Sequence, residues 1–469
     1  MNRPTLLVSF CHDYAVRDLV DSLVLDNLGS EFNLCFVVTG DVTVDLSKYG
    51  PIIGMHRMPP GRMKLWSVAF GLRHLAGLEP LIRTQPNHLN VFHRGYNPQI
   101  KKMMGFLHRI GLSSRLSVIL EAILAGSTPD FLTFKSMPDA ALLTSGINDP
   151  CWDDTVTLCK RYRIPSLTLT INWDNIAHKI FLQQPDRLGV WGPQAYLFAR
   201  LFQKIPADRI AMLGTPRFEF YRSHARPKGE ARSEWSLGAD QTVLLFAGSG
   251  VAFDEVSLIE EFERAAEDGR MPKNVVLLYK PHPKRHPRAA EPALSPHRYK
   301  RVTVVGQVGR LNHLSEYPEL LSAVDGLVTP LSTMMLEGAI MGLPALGLGY
   351  DDPSHGDYSW DNARLNNHLH AFIHSKAHVP CHSKQDFIPG ILKLLTLIRD
   401  PTVAAEARAV ARFAVFEDGR PFSVRVAEIL KEMILTESIA SARRSAGGRL
   451  HPLPDAEAAQ PCEICGAPS

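Results

Sequence analysis

Three short segments in the second half of the chain carry residue types suited to holding a phosphorylated ligand. Lys280-Pro281-His282-Pro283 sets an ammonium and an imidazole in a turn stiffened by two prolines, directly after the apolar run Val275 to Tyr279. Such groups neutralise phosphate oxygens and donate to them, and a restricted turn loses less freedom on binding. Ser332-Thr333 opens a helical pattern that continues to Met341. Hydroxyls there either cap the helix or, with its free N–H groups and dipole, face a phosphate. Glu337 follows Thr333 by one helical turn on roughly the same face, where a carboxylate can accept hydrogen bonds from ribose or sugar hydroxyls. Gly248-Ser249-Gly250 ends the run Thr242 to Ala247. Its glycines allow close backbone approach to a phosphate, although any tight strand-to-helix turn uses them too.

The first half offers groups for a proton transfer. His12 and Asp13 follow the apolar run Leu6 to Phe10, with Arg17 on the helix beyond. Asp174 stands in Trp173-Asp174-Asn175, with His178 one turn later. A transfer that inverts configuration needs a carboxylate or imidazole beside the attacking hydroxyl, and His12, Asp13 and Asp174 are the candidate bases. His12 and Asp13 equally suit a helix cap beside a surface histidine, and Asp174 an anchor for backbone N–H groups. Arg17 and Asn175 are assigned to the acceptor side.

These residues need elements to position them, and the chain has a recurring unit. A short apolar run passes through a Gly/Ser/Asp-rich turn into a segment of helical periodicity. Leu6 to Phe10, Asn33 to Val38, Ala140 to Thr144 and Ser166 to Ile171 read as strands, with Val16 to Leu28 as one helix. A charged stretch, Arg222 to Glu234, reads as a linker. A second series then begins: Thr242 to Ala247, Asn274 to Tyr279, Arg301 to Val305, Gly326 to Val328 and Ala345 to Leu348, with helices over Asp254 to Ala266 and Thr333 to Met341. The fold class predicted is α/β, two Rossmann-like domains facing a central cleft. The expected division is 1–230 for the acceptor-side domain, 231–438 for the nucleotide-donor domain and 439–469 for a flexible tail. In open α/β sheets ligands bind at the carboxyl ends of strands, which is where all three phosphate segments fall.

At 469 residues the chain exceeds one core, and 45% hydrophobic with 21% charged residues is ordinary globular composition. A net charge of +3 gives no global signal for nucleic acid. No apolar stretch approaches the length of a membrane span, the N-terminus reads as a buried strand, and seven scattered cysteines do not form a disulfide framework. A reducing cytoplasm fits, at the inner face of the plasma membrane if the chain binds lipid. Asn97 to Leu124 bears Lys101, Lys102, His108, Arg109 and Arg115 on an amphipathic pattern. It reads as a helical hairpin with a solvated basic face, or as a patch for peripheral membrane association or a lipid-linked acceptor. Cys462 and Cys465 make half a zinc ribbon without a second cysteine pair, so no metal site is expected. Asp351 to Asp357 reads as a rim of the cleft.

The order of the glycine loop, Lys280-Pro281-His282-Pro283, Ser332-Thr333, Glu337-Gly338 and Gly342-Leu343-Pro344 resembles the donor domain of GT-B transferases, in the surface-polysaccharide and CDP-glycerol glycerophosphotransferase-like branch. The segments Trp173-Asp174-Asn175, Val190-Trp191-Gly192 and Gly214-Thr215-Pro216-Arg217-Phe218 are similar to surface-carbohydrate biosynthesis proteins. The resemblance implies that His282, Ser332, Thr333 and Glu337 contact the donor, with Lys280 supporting its charge. It implies a metal-independent glycosyltransferase taking a nucleotide-sugar donor to a surface-glycan or lipid-linked acceptor, with the donor as substrate and no separate cofactor. A CDP-glycerol-type glycerophosphotransferase, a sugar-nucleotide 2-epimerase and a non-catalytic nucleotide-sugar-binding module are the alternatives.

Overall fold

The computed structural model describes residues 3–76, 98–250, 253–283, 299–306, 313–352 and 359–445. Residue 97, most of the acidic segment 351–357, and the Cys462/Cys465 pair lie outside them.

Two wholly parallel sheets carry the structure. The first comprises β1 (Thr5–Phe10), β2 (Asn33–Thr39), β3 (Ile52–His56), β4 (Ala140–Ser145), β5 (Ser166–Thr170), β6 (Arg187–Val190) and β7 (Ile210–Met212) in the order β3-β2-β1-β4-β5-β6-β7. The second comprises β8 (Thr242–Ala247), β9 (Val275–Lys280), β10 (Val302–Val304), β11 (Gly326–Pro330), β12 (Ala345–Leu348) and β13 (His378–Cys381) in the order β10-β9-β8-β11-β12-β13. Central strands such as β4, AALLTS, are buried at every position, as expected when helices cover both faces. The strand runs read from sequence are therefore present. The expectation passed over β3, β6 and β13, whose four or five residues include glycine, arginine, histidine or proline, and β7, which is only three residues long, so each gives little apolar signal.

In each sheet the strand order reverses beside the first strand, between β1 and β4 and between β8 and β11. Such switch points open a crevice at the carboxyl ends of the strands. β9, β8 and β11 are neighbours, so the three segments singled out as phosphate-binding candidates, which follow β8, β9 and β11, emerge side by side.

The helices that bear on the site are α1 (Asp13–Asp21), α2 (Pro60–Ala76), α3 (Pro98–Arg109), α4 (Ser113–Gly126), α5 (Pro150–Tyr162), α6 (Pro216–Ser223), α7 (Glu255–Glu267), α8 (Met334–Met341) and α9 (Phe422–Ser445). The single helix expected over Val16 to Leu28 is broken. Exposed Leu23 takes a left-handed conformation, φ 59°, which ends α1 and lets Val24 and Leu25 re-enter the core from a new helix.

The stretch read as a linker is also structured. Lys228–Glu234 is helical, and buried Arg232 donates to Asp325 at 2.5 Å and to the Ala323 carbonyl at 3.0 Å. Lys228 and Arg232 thus tie this stretch to Asp325 of the second domain.

The chain then returns. Residues 414–416 cross beside Gly192, where a Cβ would stand 2.6 Å from the Ala414 carbonyl oxygen, and the Phe416 N–H donates to the Trp191 carbonyl at 2.7 Å. Beyond that crossing α9 packs Phe422, Val426, Leu430 and Met433 into the core of the first sheet. This helix, assigned by sequence partly to the donor domain and partly to a tail, belongs by packing to the first domain and is continuous through 439.

Candidate functional site

On the second domain the glycine loop and the Lys-Pro-His-Pro turn touch. The Gly248 N–H donates to the Lys280 carbonyl at 2.9 Å, and a Cβ on Gly250 would lie 2.8 Å from Cε1 of His282. Only a glycine lets that imidazole rest on the backbone. The loop is held from behind by Glu255, fully buried in the first turn of α7. Its Oε1 accepts from the Ser249 N–H at 2.8 Å and its Oε2 from the Tyr279 hydroxyl at 2.6 Å. Sequence reading overlooked Glu255, which had the appearance of an ordinary acidic residue in a helix start.

α8 starts in the neighbouring loop. Ser332 Oγ lies 3.1 Å from Thr329 Oγ1, and the Thr333 side chain makes no capping hydrogen bond. The helix N-terminus is therefore not closed by the Thr333 hydroxyl, although the Met335 N–H donates to the Ser332 carbonyl at 3.1 Å.

Glu337 stands differently from its assignment. It is buried, accepts from the Tyr221 hydroxyl at 2.8 Å, and lies 3.6 Å from Nη1 of Arg217. Arg217 in turn donates to Asp18 Oδ2 from Nε at 3.0 Å and Nη2 at 2.7 Å. Asp18 Oδ1 receives Arg17 at 3.0 and 2.6 Å. A buried chain of charges thus runs from α1 through α6 to α8 and joins the two domains. Burial raises the Glu337 carboxyl, and Arg217 and Tyr221 only partly offset this. Burial also pushes Asp18 upward, but Arg217 and Arg17 outweigh it and hold that carboxyl below the usual range. Arg17, expected on the acceptor side, instead pairs with Asp18 and lies 5.9 Å from the Tyr317 ring centroid of the second domain.

Lys280 completes this set. Its ammonium is 5.1 Å from the opposite partner of Arg17, the same Tyr317 ring, and is 7% exposed. Burial lowers its pKa. Among the described residues no carboxylate lies within ion-pair distance of it, whereas Arg17 and Arg217 share Asp18 and Glu337. Arg17, Arg217 and Lys280 thus lie near Asp18, Glu337 and Glu316, and of the three cations Lys280 is the one in no ion pair among the described residues.

On the first domain, His12 stacks on Tyr14 with centroids 5.1 Å apart. Both Asp13 oxygens are engaged by Thr43, from its N–H at 2.8 Å and its hydroxyl at 2.7 Å, so this carboxylate anchors the loop after β2. Asn175 is buried and accepts from the Asn172 N–H at 3.2 Å, which makes it a brace of its own turn. Asp174 is 4.0 Å from His178 Nε2. Beside it Trp173 meets His368 and Phe372 of the second domain edge-on, at 5.0 and 5.3 Å. Burial lowers His368 to about 4, so it is neutral near pH 7. His368 and Tyr221 did not stand out in the sequence, and Arg217 did so only within the segment Gly214 to Phe218; the docking of the two domains gives them their partners.

Two parallel α/β sheets with a crevice between them, and a last helix returning to the first, set the comparison with known structures. A UDP-N-acetylglucosamine 2-epimerase candidate of Listeria monocytogenes superposes with a TM-score of 0.51 at 12% identity over 91% of this chain and 96% of its own. The fold is GT-B. The GT-B likeness extends to the S. aureus MnaA–UDP co-structure, with a TM-score of 0.50 at 10% identity over 92% and 96%. It extends equally to CalG4, the calicheamicin glycosyltransferase, at 0.50 and 11% over 92% and 99%. No family model matches the chain, and no curated protein matches it in sequence. His12 and Asp174 lie on the first domain, while Lys280, His282, Ser332 and Thr333 stand at the carboxyl ends of β9 and β11 on the second.

Proposed function

We propose that the protein is a glycosyltransferase that moves a sugar from a nucleotide-activated donor to a glycan or lipid-linked acceptor, without a metal. The observation that supports this most is Lys280, a buried ammonium lacking a carboxylate partner among the described residues, beside the N-terminus of α8 and the His282 turn. A buried excess of positive charge is costly until an anion fills it. A donor diphosphate supplies that anion, and the same groups stabilise the leaving phosphate as charge develops on it.

In the proposed reaction an acceptor hydroxyl attacks the anomeric carbon of the sugar. The bond from that carbon to the diphosphate oxygen breaks, and the nucleotide leaves as the anion. The hydroxyl proton passes to a base on the first domain. His12 is the assignment made here, because Asp13 is committed to Thr43.

Thermal shift against UDP-, GDP-, CDP- and CMP-linked donors tests the reading. One donor class is expected to raise the melting temperature of the native protein and to lose at least tenfold in affinity with Lys280→Met. Absence of a shift with every donor would sink the proposal. Donor conversion without acceptor would assign an epimerase instead, and phosphorus in the new linkage a glycerophosphotransferase.

A further inference from the structure

The helices between β3 and β4 form a unit with two unlike sides. α4 packs along α2, and α3 lies against both. Leu72 and Met104 are buried between them, with Ile100, Leu107, Leu116 and Leu120 closing the inner side. Arg62 at the start of α2 ties the unit to the domain. It donates to Ser127 and Thr128 just beyond α4 at 2.8 Å each and pairs with Asp154 of α5.

The outer side is apolar. Met103, Phe106, Ile110, Ile119 and Ile123 are between 46% and 60% exposed. Positions 103, 106 and 110 follow one face of α3 and its end, and 119 and 123 one face of α4. Isolated exposed apolar residues are normal on any protein, but a cluster repeated at helical spacing on two packed helices marks a contact surface. Exposed Lys102, Arg109 and Arg115 surround it, while the one carboxylate between residues 98 and 126, Glu121, is half-buried. No helix among the described residues is long and apolar enough to cross a membrane, so this face can only lie along a surface.

Two occupants suit an apolar face, and charge separates them. A second copy docking isologously would bring Lys102, Arg109 and Arg115 against their own counterparts, a repulsive arrangement. An anionic bilayer offers acyl chains at the depth of the apolar residues and phosphates at the depth of the cations. We propose that the outer face of α3 and α4 docks on an anionic lipid bilayer.

Flotation of the full chain with lipid vesicles tests this without reference to donor chemistry, so it stands or falls apart from the transferase reading. The chain is expected to float with phosphatidylglycerol-containing vesicles and at least tenfold less with phosphatidylcholine alone. Raising salt to about 0.5 M is expected to release most of it, because screening shortens the reach of the cations. Phe106→Ser with Ile119→Ser, and separately Lys102→Glu with Arg109→Glu and Arg115→Glu, should each cut flotation at least tenfold. These side chains face outward, so the melting temperature should hold, and if one variant fails to fold the other decides. No flotation with anionic vesicles, equal flotation with both lipids, or binding unchanged in a folded variant overturns the proposal. So does a wild-type dimer that the Phe106/Ile119 variant converts to monomer without any vesicle binding.

Discussion

Arg217 on α6 donates two hydrogen bonds to one oxygen of Asp18 on α1, and both residues are buried where the two domains meet. Removing one member of such a pair strands the other as an uncompensated charge. Arg217→Met is expected to destabilise the protein by about 3 kcal/mol, the low end for a broken buried pair because Arg17 still serves Asp18. The double variant Asp18→Asn/Arg217→Met should recover part of that loss. Denaturant unfolding followed with probes in each domain measures both, and a neutral Arg217→Met would refute the structural role.

The same pair gives a pH dependence with a definite sign. Asp18 has a folded pKa below its unfolded value, so its contribution is present above about pH 4 and is lost as pH falls through the depressed value. Glu337 is raised, so its contribution is present at low pH and is lost as pH rises through the raised value. Melting temperature against pH should therefore fall less steeply below about pH 4 in Asp18→Asn than in the native protein. An unchanged acid limb would contradict the assignment.

Glu337→Gln separates stability from binding. The amide keeps an acceptor for Tyr221 but removes a buried carboxylate that faces Arg217 and Lys280, so melting at neutral pH should fall. If the carboxylate also meets the donor's ribose, affinity should fall about tenfold, roughly 1.4 kcal/mol. Calorimetric titration with the matching donor reads the second effect, and undiminished affinity would leave Glu337 as a purely inter-domain residue.

Gly250→Ala is expected to act through His282. The added methyl would meet the imidazole at 2.8 Å, and a side-chain tip can move at small cost to the fold. Turnover should drop at least tenfold, comparable to His282→Ala, with the melting temperature nearly unchanged. A variant that keeps full turnover would show that the contact does not position the ring.

Glu255→Ala removes the acceptor for the Ser249 N–H and the Tyr279 hydroxyl inside the core. Loss of that acceptor should lower stability by about 1–3 kcal/mol, whereas Glu255→Gln should lose less because an amide oxygen remains. The difference in unfolding midpoint between the two variants is the measurement, and equal midpoints would mean the carboxylate does not hold the loop.

What the amino-acid sequence determined by itself is the sheet-forming plan and the place of three candidate ligand segments at strand ends. Continuous apolar runs such as Val243 to Phe246 and Ala141 to Leu143 are legible because a strand buried on both faces must be apolar along its whole length. Lys280, His282 and Ser332-Thr333 are legible because each directly follows such a run, where α/β sheets bind ligands. The partners of these groups were not legible. Asp18 and Arg217 are 199 positions apart and Tyr221 and Glu337 are 116 apart, and neither pair carries a local pattern that marks it. Side-chain burial of charge depends on which surfaces meet, so the tertiary structure alone turned Glu337 into a link between domains, committed Asp13 to Thr43, and folded α9 back onto the first sheet. It also set Lys280 over the Tyr317 ring, outside ion-pair distance of any carboxylate among the described residues.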